Sequence, residues 1–188
     1  MVKVHESALV LSPPEPAWPT IQAIREKHDR NFSRWMPHIT LLYPFYPRSH
    51  FESASEMLAD ACQQVHPFEV SFSEFQAFQH GRNGFTIWLE PHPKRAVCDL
   101  QDALWQVLPD CDETRKHPEG FTPHLSVGQV RSTTERDQIL SELRTNWETL
   151  VFRAEWVDLI CRNPKPGDAF RVAVSVALGT GEIQRTIT

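Results

Sequence analysis

One phrase occurs twice in this chain of 188 residues, and it constrains the fold more than any other sequence feature. Its form is Pro-His-apolar-hydroxyl-apolar. The first copy, PHITL, contains His38 and Thr40, and the second, PHLSV, contains His124 and Ser126. Short apolar runs of this kind, bounded by proline, are typical of strands. Two such strands separated by 86 positions indicate an internal repeat, which would determine the architecture of the whole chain.

The order of predicted elements repeats around the two phrases, because each motif strand is followed by a helix and then by alternating strands. The predicted segments are strand 4–11, helix 16–32, strand 37–45, helix 49–65, strands 68–78 and 85–90, helix 93–108, strand 123–130, helix 133–147, and strands 151–162 and 170–178. We therefore predict an α+β fold built from a duplicated β-α-β-α-β-β unit. Its two lobes have antiparallel sheets that face a central cleft, with helices on the outer faces.

The spacing also predicts the limits of the repeat. The two copies cover about residues 4–90 and 83–178, so that the strand at 68–78 matches 151–162 and the strand at 85–90 matches 170–178. We predict a single bilobal domain over residues 1–178, followed by a flexible tail over 179–188.

Side chains alternate between the two faces of a strand. In each motif strand, the histidine and the hydroxyl residue two positions later share one face, and the apolar residues share the other. His38 and Thr40 form one such pair, and His124 and Ser126 form the second. A pseudo-twofold relation between the halves would bring two imidazoles and two hydroxyls around one space.

This set of groups suits phosphoryl chemistry. An unperturbed histidine side chain has a pKa of about 6.5, so one neutral ring can accept a proton while a second, charged ring donates one. Hydroxyl groups can donate to the non-bridging oxygens of the phosphoryl group. A single His-x-Thr on a strand is usually structural, but two copies at equivalent places of a repeat favour a function. A zinc ion shared by His38 and His124 is disfavoured, because hydroxyls are not usual zinc ligands.

The motifs HITL and HLSV, on equivalent strands of a duplicated α+β fold, resemble those of the two-histidine (2H) phosphoesterase superfamily. Its members include the RNA 2′,3′-cyclic phosphodiesterases, long named 2′-5′ RNA ligases. The resemblance covers about residues 4–178. It implies that His38 and His124 are the catalytic pair and that Thr40 and Ser126 bind phosphate, without a metal or other cofactor. It also implies hydrolysis of the cyclic phosphate to a 2′-phosphate.

The base and the acid are not distinguished by the pseudo-symmetric motifs, although we favour His124 as base and His38 as acid. The chain departs from the family pattern at Gln129, where many bacterial members have arginine. It also departs at Ser126, where threonine is more usual. Both departures concern phosphate affinity and the preferred substrate.

Further candidates for substrate binding lie close to the motifs. Tyr43 and Phe121 are aromatic residues on which a base could stack. Arg162, near the end of a predicted strand, is a candidate cation. The loop 112–121 leads directly into the second motif and is the predicted edge of the substrate site.

Composition excludes several other classes. The formal net charge of −5 argues against binding of long double-stranded nucleic acid, but it permits recognition of an RNA 3′ end or a small nucleotide. No apolar run approaches 18 residues, so we expect no membrane span. The four cysteines form no C-x-x-C pair, which fits a reduced intracellular compartment, cytoplasmic or nuclear. We expect a monomer.

Other functions stay open at this point. Related 2H proteins include 2′,5′-oligoadenylate phosphodiesterases and 3′-5′ exonucleases of RNA, and the motifs do not separate these activities from cyclic phosphodiesterase activity. A module that holds a nucleotide such as AMP without turnover is a further alternative, as is ligation between 2′ and 5′ ends.

Overall fold

The structure of the protein is a computed structural model that describes residues 2–116 and 120–186. Its helices are α1 (Trp18–His28), α2 (Phe51–Gln63), α3 (Lys94–Val107) and α4 (Thr133–Asn146). Its strands are β1 (Ser7–Leu11), β2 (Ile39–Leu42), β3 (Phe68–His80), β4 (Gly84–His92), β5 (Leu125–Val130), β6 (Leu150–Ala154), β7 (Trp156–Cys161), β8 (Arg171–Ala177) and β9 (Ile183–Arg185).

The strands form two antiparallel sheets. Sheet one has the order β2-β1-β7-β8-β9, and sheet two has the order β5-β4-β3-β6. Every strand pair in both sheets is antiparallel. The predicted α+β architecture with two antiparallel sheets is therefore confirmed.

The two motif strands occupy equivalent places in the two sheets. β2 is the edge strand of sheet one beside β1, and β5 is the edge strand of sheet two beside β4. These two edges lie next to each other, so the sheets meet at the motifs. The sheet position of β4 thus corresponds to that of β1, and not to that of β8, with which its sequence was matched.

The chain changes sheets at a place that the sequence did not indicate. The predicted strand 151–162 is two strands, because β6 pairs with β3 in sheet two and β7 pairs with β1 and β8 in sheet one. Glu155 lies between them, and its carbonyl accepts a hydrogen bond of 2.8 Å from the amide of Leu178. No proline or glycine lies at this change of sheet, and both strands are apolar, so the sequence gives no sign that the strand is divided.

The segment after residue 178 differs from the predicted flexible tail. β9 pairs with β8 along Val174–Val176, and the guanidinium of Arg185 forms an ion pair with Glu52 of α2. A short edge strand of three residues carries little sequence signal, and its pairing with β8 depends on the completed sheet.

The main hydrophobic core lies between the sheets and the helices, and a second cluster covers the opposite face of sheet one. In β1, Leu9 and Leu11 belong to the main core, whereas Ala8 and Val10 belong to the second cluster with Phe170. β1 is therefore buried on both faces. Trp35, Met36 and Tyr43 also pack on this second cluster, so the chain around the first motif has its own apolar support.

Within residues 2–116 and 120–186, none of the helices has both the length and the apolar character needed to cross a lipid bilayer.

Candidate functional site

The motif residues sit where the two sheets meet. His38 directly precedes β2 and His124 directly precedes β5. The alternate residues of the motif strands are buried in the main core: Ile39, Leu41, Leu125 and Val127. Thr40 and Ser126 lie on the opposite face and are only partly buried, as the strand alternation predicts.

Two adjoining cavities lie along this face, and together we call them the cleft. The first has a volume of about 250 Å³ and is lined by His38. The second has a volume of about 570 Å³ and is lined by His124. Thr40, Thr86 and Ser126 line both. The structure therefore brings the two predicted imidazoles and the two predicted hydroxyls to one cleft, with the hydroxyls at the junction of its halves.

Both imidazoles are held by a main-chain carbonyl two residues earlier. Nδ1 of His38 donates to the Met36 carbonyl at 2.7 Å, and Nδ1 of His124 donates to the Thr122 carbonyl at 2.8 Å. A carbonyl oxygen only accepts, so Nδ1 carries a hydrogen in each ring. Nε2 is then the atom that takes up or releases the second proton of each ring. The pseudo-symmetry of the sequence thus extends to the hydrogen bond that orients each histidine.

The aromatic surroundings of the two rings differ. The indole of Trp35 stacks on the His38 ring with centroids 4.8 Å apart, and the same indole also stacks with the ring of Phe170 at 3.7 Å. The His124 ring instead meets Phe78 edge-on at 4.9 Å. Neither Trp35 nor Phe170 was among the predicted site residues, because their stacking on each other depends on the folded structure. Phe78, on β3, was missed because it reaches His124 only through sheet pairing.

The environment of His38 strongly favours its neutral form. Burial lowers the pKa of His38 to about 4, and the nearby positive charge of Arg25 acts in the same direction. The hydrogen bond to Met36 and the Asp29 carboxylate oppose this shift but do not cancel it. Around pH 7 the His38 ring is therefore uncharged and can accept a proton.

The three predicted substrate-binding residues are placed differently. Tyr43 lines the first cavity and Phe121 lines the second. Arg162 lines neither of them: it forms an ion pair with Glu6 at 3.0 Å, and its guanidinium lies 5.5 Å from the centre of the Phe170 ring. The prediction that Arg162 contributes to the substrate site is thus not supported by its position, because its guanidinium is engaged by Glu6 and lines neither cavity.

The predicted edge of the site, the loop 112–121, is partly described. Thr114, Gly120 and Phe121 line the second cavity. Residues 117–119 lie outside the described residues.

Sequence reasoning missed a polar group at the other end of the cleft. Arg25 and Asp29, at the end of α1, line the first cavity and form a buried ion pair at 2.8 Å. A signal was present, because Arg25 follows the buried Ile21 by one helical turn and so places a charge next to the apolar stripe of α1. Gln129, noted only as a departure from the family pattern, also lines this cavity.

Among residues 2–116 and 120–186, no three His, Cys, Asp or Glu side chains are grouped in a way that could hold a metal ion.

The chain is similar in sequence to bacterial proteins with phosphoesterase names. The chain is 24% identical over 138 residues to a protein of Bacillus licheniformis that carries a provisional phosphoesterase name, a match that covers 72% of this chain and 78% of the relative. A similarly named protein of Oceanobacillus iheyensis is 26% identical over 129 residues, covering 65% of this chain and 69% of that protein.

Two solved structures share the fold. TT0787 of Thermus thermophilus superposes with a TM-score of 0.62 at 15% identity, covering 92% of this chain and 97% of TT0787. Escherichia coli LigT, crystallised with 3′-AMP, superposes with a TM-score of 0.57 at 16% identity, covering 94% of this chain and 99% of LigT.

The family comparison agrees with the motifs and the fold. A family model described as the 2′-5′ RNA ligase superfamily matches residues 13–165, a range that contains both motifs and all four helices. The chain belongs to the 2′-5′ RNA ligase superfamily, the two-histidine phosphoesterases that its repeated motif resembles.

Proposed function

We propose that this protein is a metal-independent phosphodiesterase that hydrolyses 2′,3′-cyclic phosphates, at RNA 3′ ends or on small nucleotides, to 2′-phosphates. One observation carries the proposal. Two imidazoles, each oriented through Nδ1 by a carbonyl two residues earlier, line the two halves of one cleft, and the hydroxyls of Thr40 and Ser126 lie between them. Membership of a phosphoesterase superfamily agrees with this reaction class.

The two histidines supply the proton transfers that the reaction needs. In the proposed reaction, Nε2 of His38 removes a proton from water as the water oxygen attacks phosphorus. The P–O3′ bond breaks, and His124 donates a proton from Nε2 to O3′, so that the phosphate remains on O2′. General acid–base catalysis of this type contributes about 10²–10⁴ in rate per group.

This assignment reverses the roles that we favoured from the sequence. A base must be uncharged before the reaction, and the lowered pKa of His38, about 4, supports that form. The sizes of the cavities agree, because His38 faces about 250 Å³ and His124 faces about 570 Å³. The larger space suits the nucleoside that carries O3′, and the smaller space suits the attacking water.

The hydroxyls of Thr40 and Ser126 are proposed to bind the phosphoryl group. Thr40 and Ser126 can each donate a hydrogen bond to a non-bridging phosphoryl oxygen, where negative charge is present throughout the reaction. Crystal structures of E. coli LigT contain 3′-AMP and phosphate, which supports a nucleotide or phosphate ligand for the same cleft here.

The test is a reaction with a short RNA that ends in a 2′,3′-cyclic phosphate, carried out in EDTA. The proteins compared are the wild type, His38→Ala, His124→Ala and, as a matched control, His66→Ala, since His66 is exposed and lines neither cavity. We expect the wild type and the control to give a 2′-phosphate end and the two motif variants to leave the cyclic end intact. Full activity in either motif variant would contradict the mechanism. A folded wild type that binds AMP without turnover would favour a nucleotide-binding module.

A further inference from the structure

We propose that the guanidinium of Arg25 is a third phosphate-binding group of the cleft, acting on the non-bridging oxygens together with the hydroxyls of Thr40 and Ser126. The proposal rests on the proposed function, because it concerns the same phosphoryl group. It adds a residue from α1, which lies outside both motifs.

The position of Arg25 is the first support. Its side chain is only 2% exposed, yet it lines the first cavity with His38, Thr40 and Ser126. Of the described residues that line the two cavities, Arg25 and Arg30 are the only arginines, and no lysine lines either one. Arg30 is exposed, so Arg25 is the cation that the protein itself holds in place. A chain with a formal net charge of −5 needs such a local cation to attract an anion.

The hydrogen bonds of Arg25 fix its guanidinium and leave donors unused. Nε and Nη2 of Arg25 both lie 2.8 Å from Oδ2 of Asp29, and Nη1 donates to Oε1 of Gln22 at 2.8 Å. A guanidinium has five N–H donors, so two remain after these contacts. A planar group that is already oriented loses little entropy when it binds the oxygens of a phosphoryl group.

Asp29 is shared among several donors, and it connects α1 to β5. Its Oδ1 accepts hydrogen bonds from the amide of Asn31 at 2.9 Å and from Nε2 of Gln129 at 3.1 Å. Gln129 also accepts, through Oε1, a hydrogen bond of 3.1 Å from the amide of Arg30. The carboxylate charge is therefore spread over donors on both elements. Gln129 has a clear role in this arrangement, since it ties the end of α1 to the second motif strand.

A close approach of the two backbones makes this arrangement possible. A Cβ atom at Gly128 would lie 2.7 Å from Cβ of His28 and 3.2 Å from its carbonyl oxygen. Only glycine allows α1 to approach β5 this closely. The preceding turn of the helix then presents Arg25 to the cavity, one turn before Asp29.

The chemistry of the first cavity agrees with a phosphoryl group bound where this cavity joins the second, at Thr40 and Ser126, next to the space assigned to the attacking water. Charge-assisted hydrogen bonds are about twice as strong as neutral ones, and the low dielectric of a buried site strengthens them further. Buried arginine–carboxylate pairs are weak contributors to stability, because desolvation offsets their attraction. The geometry therefore points to a binding role for this pair more than to a stabilising one.

The experiment measures inorganic phosphate binding by isothermal titration calorimetry and cyclic-phosphate hydrolysis in the same proteins. The test variant is Arg25→Gln combined with Asp29→Asn, which removes both charges and so leaves no buried charge unpaired. Its matched control is Arg95→Gln combined with Asp99→Asn, since this i,i+4 pair of α3 is exposed and remote from the cleft. Circular dichroism establishes that each variant is folded.

We expect phosphate affinity to fall at least about tenfold and kcat/KM about 10²-fold in the test variant, with no change in the control. Unchanged phosphate affinity in the folded test variant would overturn the proposal, and so would a wild type that does not bind phosphate at millimolar concentration.

If the double variant does not fold, Arg25→Lys decides the question, because it keeps the charge but lacks the planar fork. Weaker phosphate binding by Arg25→Lys supports the proposal, and unchanged binding rejects it. If the wild type binds phosphate but hydrolyses no cyclic phosphate, and the test variant loses phosphate affinity, then the proposed function is rejected and the role of Arg25 in phosphate binding is supported.

Discussion

The indole ring of Trp35 stacks on the imidazole of His38, with ring centroids 4.8 Å apart and ring planes 21° from parallel. The indole also stacks with Phe170 and packs on the second hydrophobic cluster, so it cannot move away from His38 without disturbing that cluster. Trp35 therefore fixes the plane of the His38 ring, and the hydrogen bond to the Met36 carbonyl fixes its rotation. We regard Trp35 as a positioning residue for the proposed base.

Replacement of Trp35 by leucine tests this positioning role. We expect kcat to fall about tenfold or more because the ring loses its fixed orientation, with a smaller change in KM. Water would also reach the imidazole, so the pKa of His38 should rise from about 4 toward its ordinary value. Histidine NMR titration measures the pKa, and Trp35→Phe is the control that should lie closer to the wild type. An unchanged pKa and kcat in the leucine variant would contradict the role.

The pH dependence of activity follows from the lowered pKa of His38. The base must be uncharged, so kcat/KM should be maintained as the pH falls from 7 to 5 and should decrease only near pH 4. The measurement is the acid limb of the kcat/KM profile on a cyclic phosphate substrate. An acid limb centred near 6.5 would contradict the assignment of His38 as the base.

The same shift predicts a dependence of stability on pH. The folded-state pKa of His38 lies below the unfolded value, so the unfolded state binds more protons between these two values. The stability that neutral His38 contributes is fully present above about pH 6.5 and is lost as the pH falls through 6.5 toward 4. The expected loss between pH 7.5 and 5 is about 2 kcal/mol of unfolding free energy. Urea unfolding at these pH values measures it, and His38→Gln should show a loss smaller by that amount.

Replacement of Gly128 by alanine tests the approach of α1 to β5. The added Cβ would lie 2.7 Å from that of His28, so α1 or β5 must shift. We expect a decrease of about 1–3 kcal/mol in the free energy of unfolding, as overpacking typically produces, together with a loss of kcat/KM as Arg25 and Asp29 are displaced. The control is Ala103→Ser, a similarly small change at a partly buried site on α3. Wild-type stability and activity in Gly128→Ala would contradict the prediction.

Replacement of Arg162 by lysine tests whether this residue binds substrate, as the sequence suggested, or only pairs with Glu6, as the structure shows. Arg162 lies outside both cavities and pairs with Glu6, so we expect KM for the cyclic substrate to change by less than about twofold. The control is Arg25→Lys, for which the change in KM should be larger. A tenfold increase in KM for Arg162→Lys would restore the expectation that Arg162 binds substrate.

The parts of the site that local patterns control were predictable. The alternation of side chains along β2 and β5 places Thr40 and Ser126 on the face opposite the core, and this follows from the two-residue period of any strand. The repeated motif also indicated that two such strands would meet, and the two edges do lie side by side. The α+β architecture followed in the same way from the order of the elements.

The parts that depend on distant packing were not predictable. The change of sheet at Glu155 depends on which neighbouring strands are available on each side of it. The pseudo-symmetric sequence gives His38 and His124 the same carbonyl contact, so it cannot distinguish base from acid.

By itself, then, the sequence determined the two imidazoles, the two hydroxyls and the order of the elements, because these follow from residue identity and the period of a strand. Only the tertiary structure decided what surrounds each ring, and for His38 those surroundings lower the pKa. Trp35 stacks on His38, Phe170 stacks with Trp35, and the charge of Arg25 acts on the His38 ring, so three separate segments of the chain contribute. Burial of His38, and not the motif, lowers the pKa of this ring and keeps it neutral around pH 7.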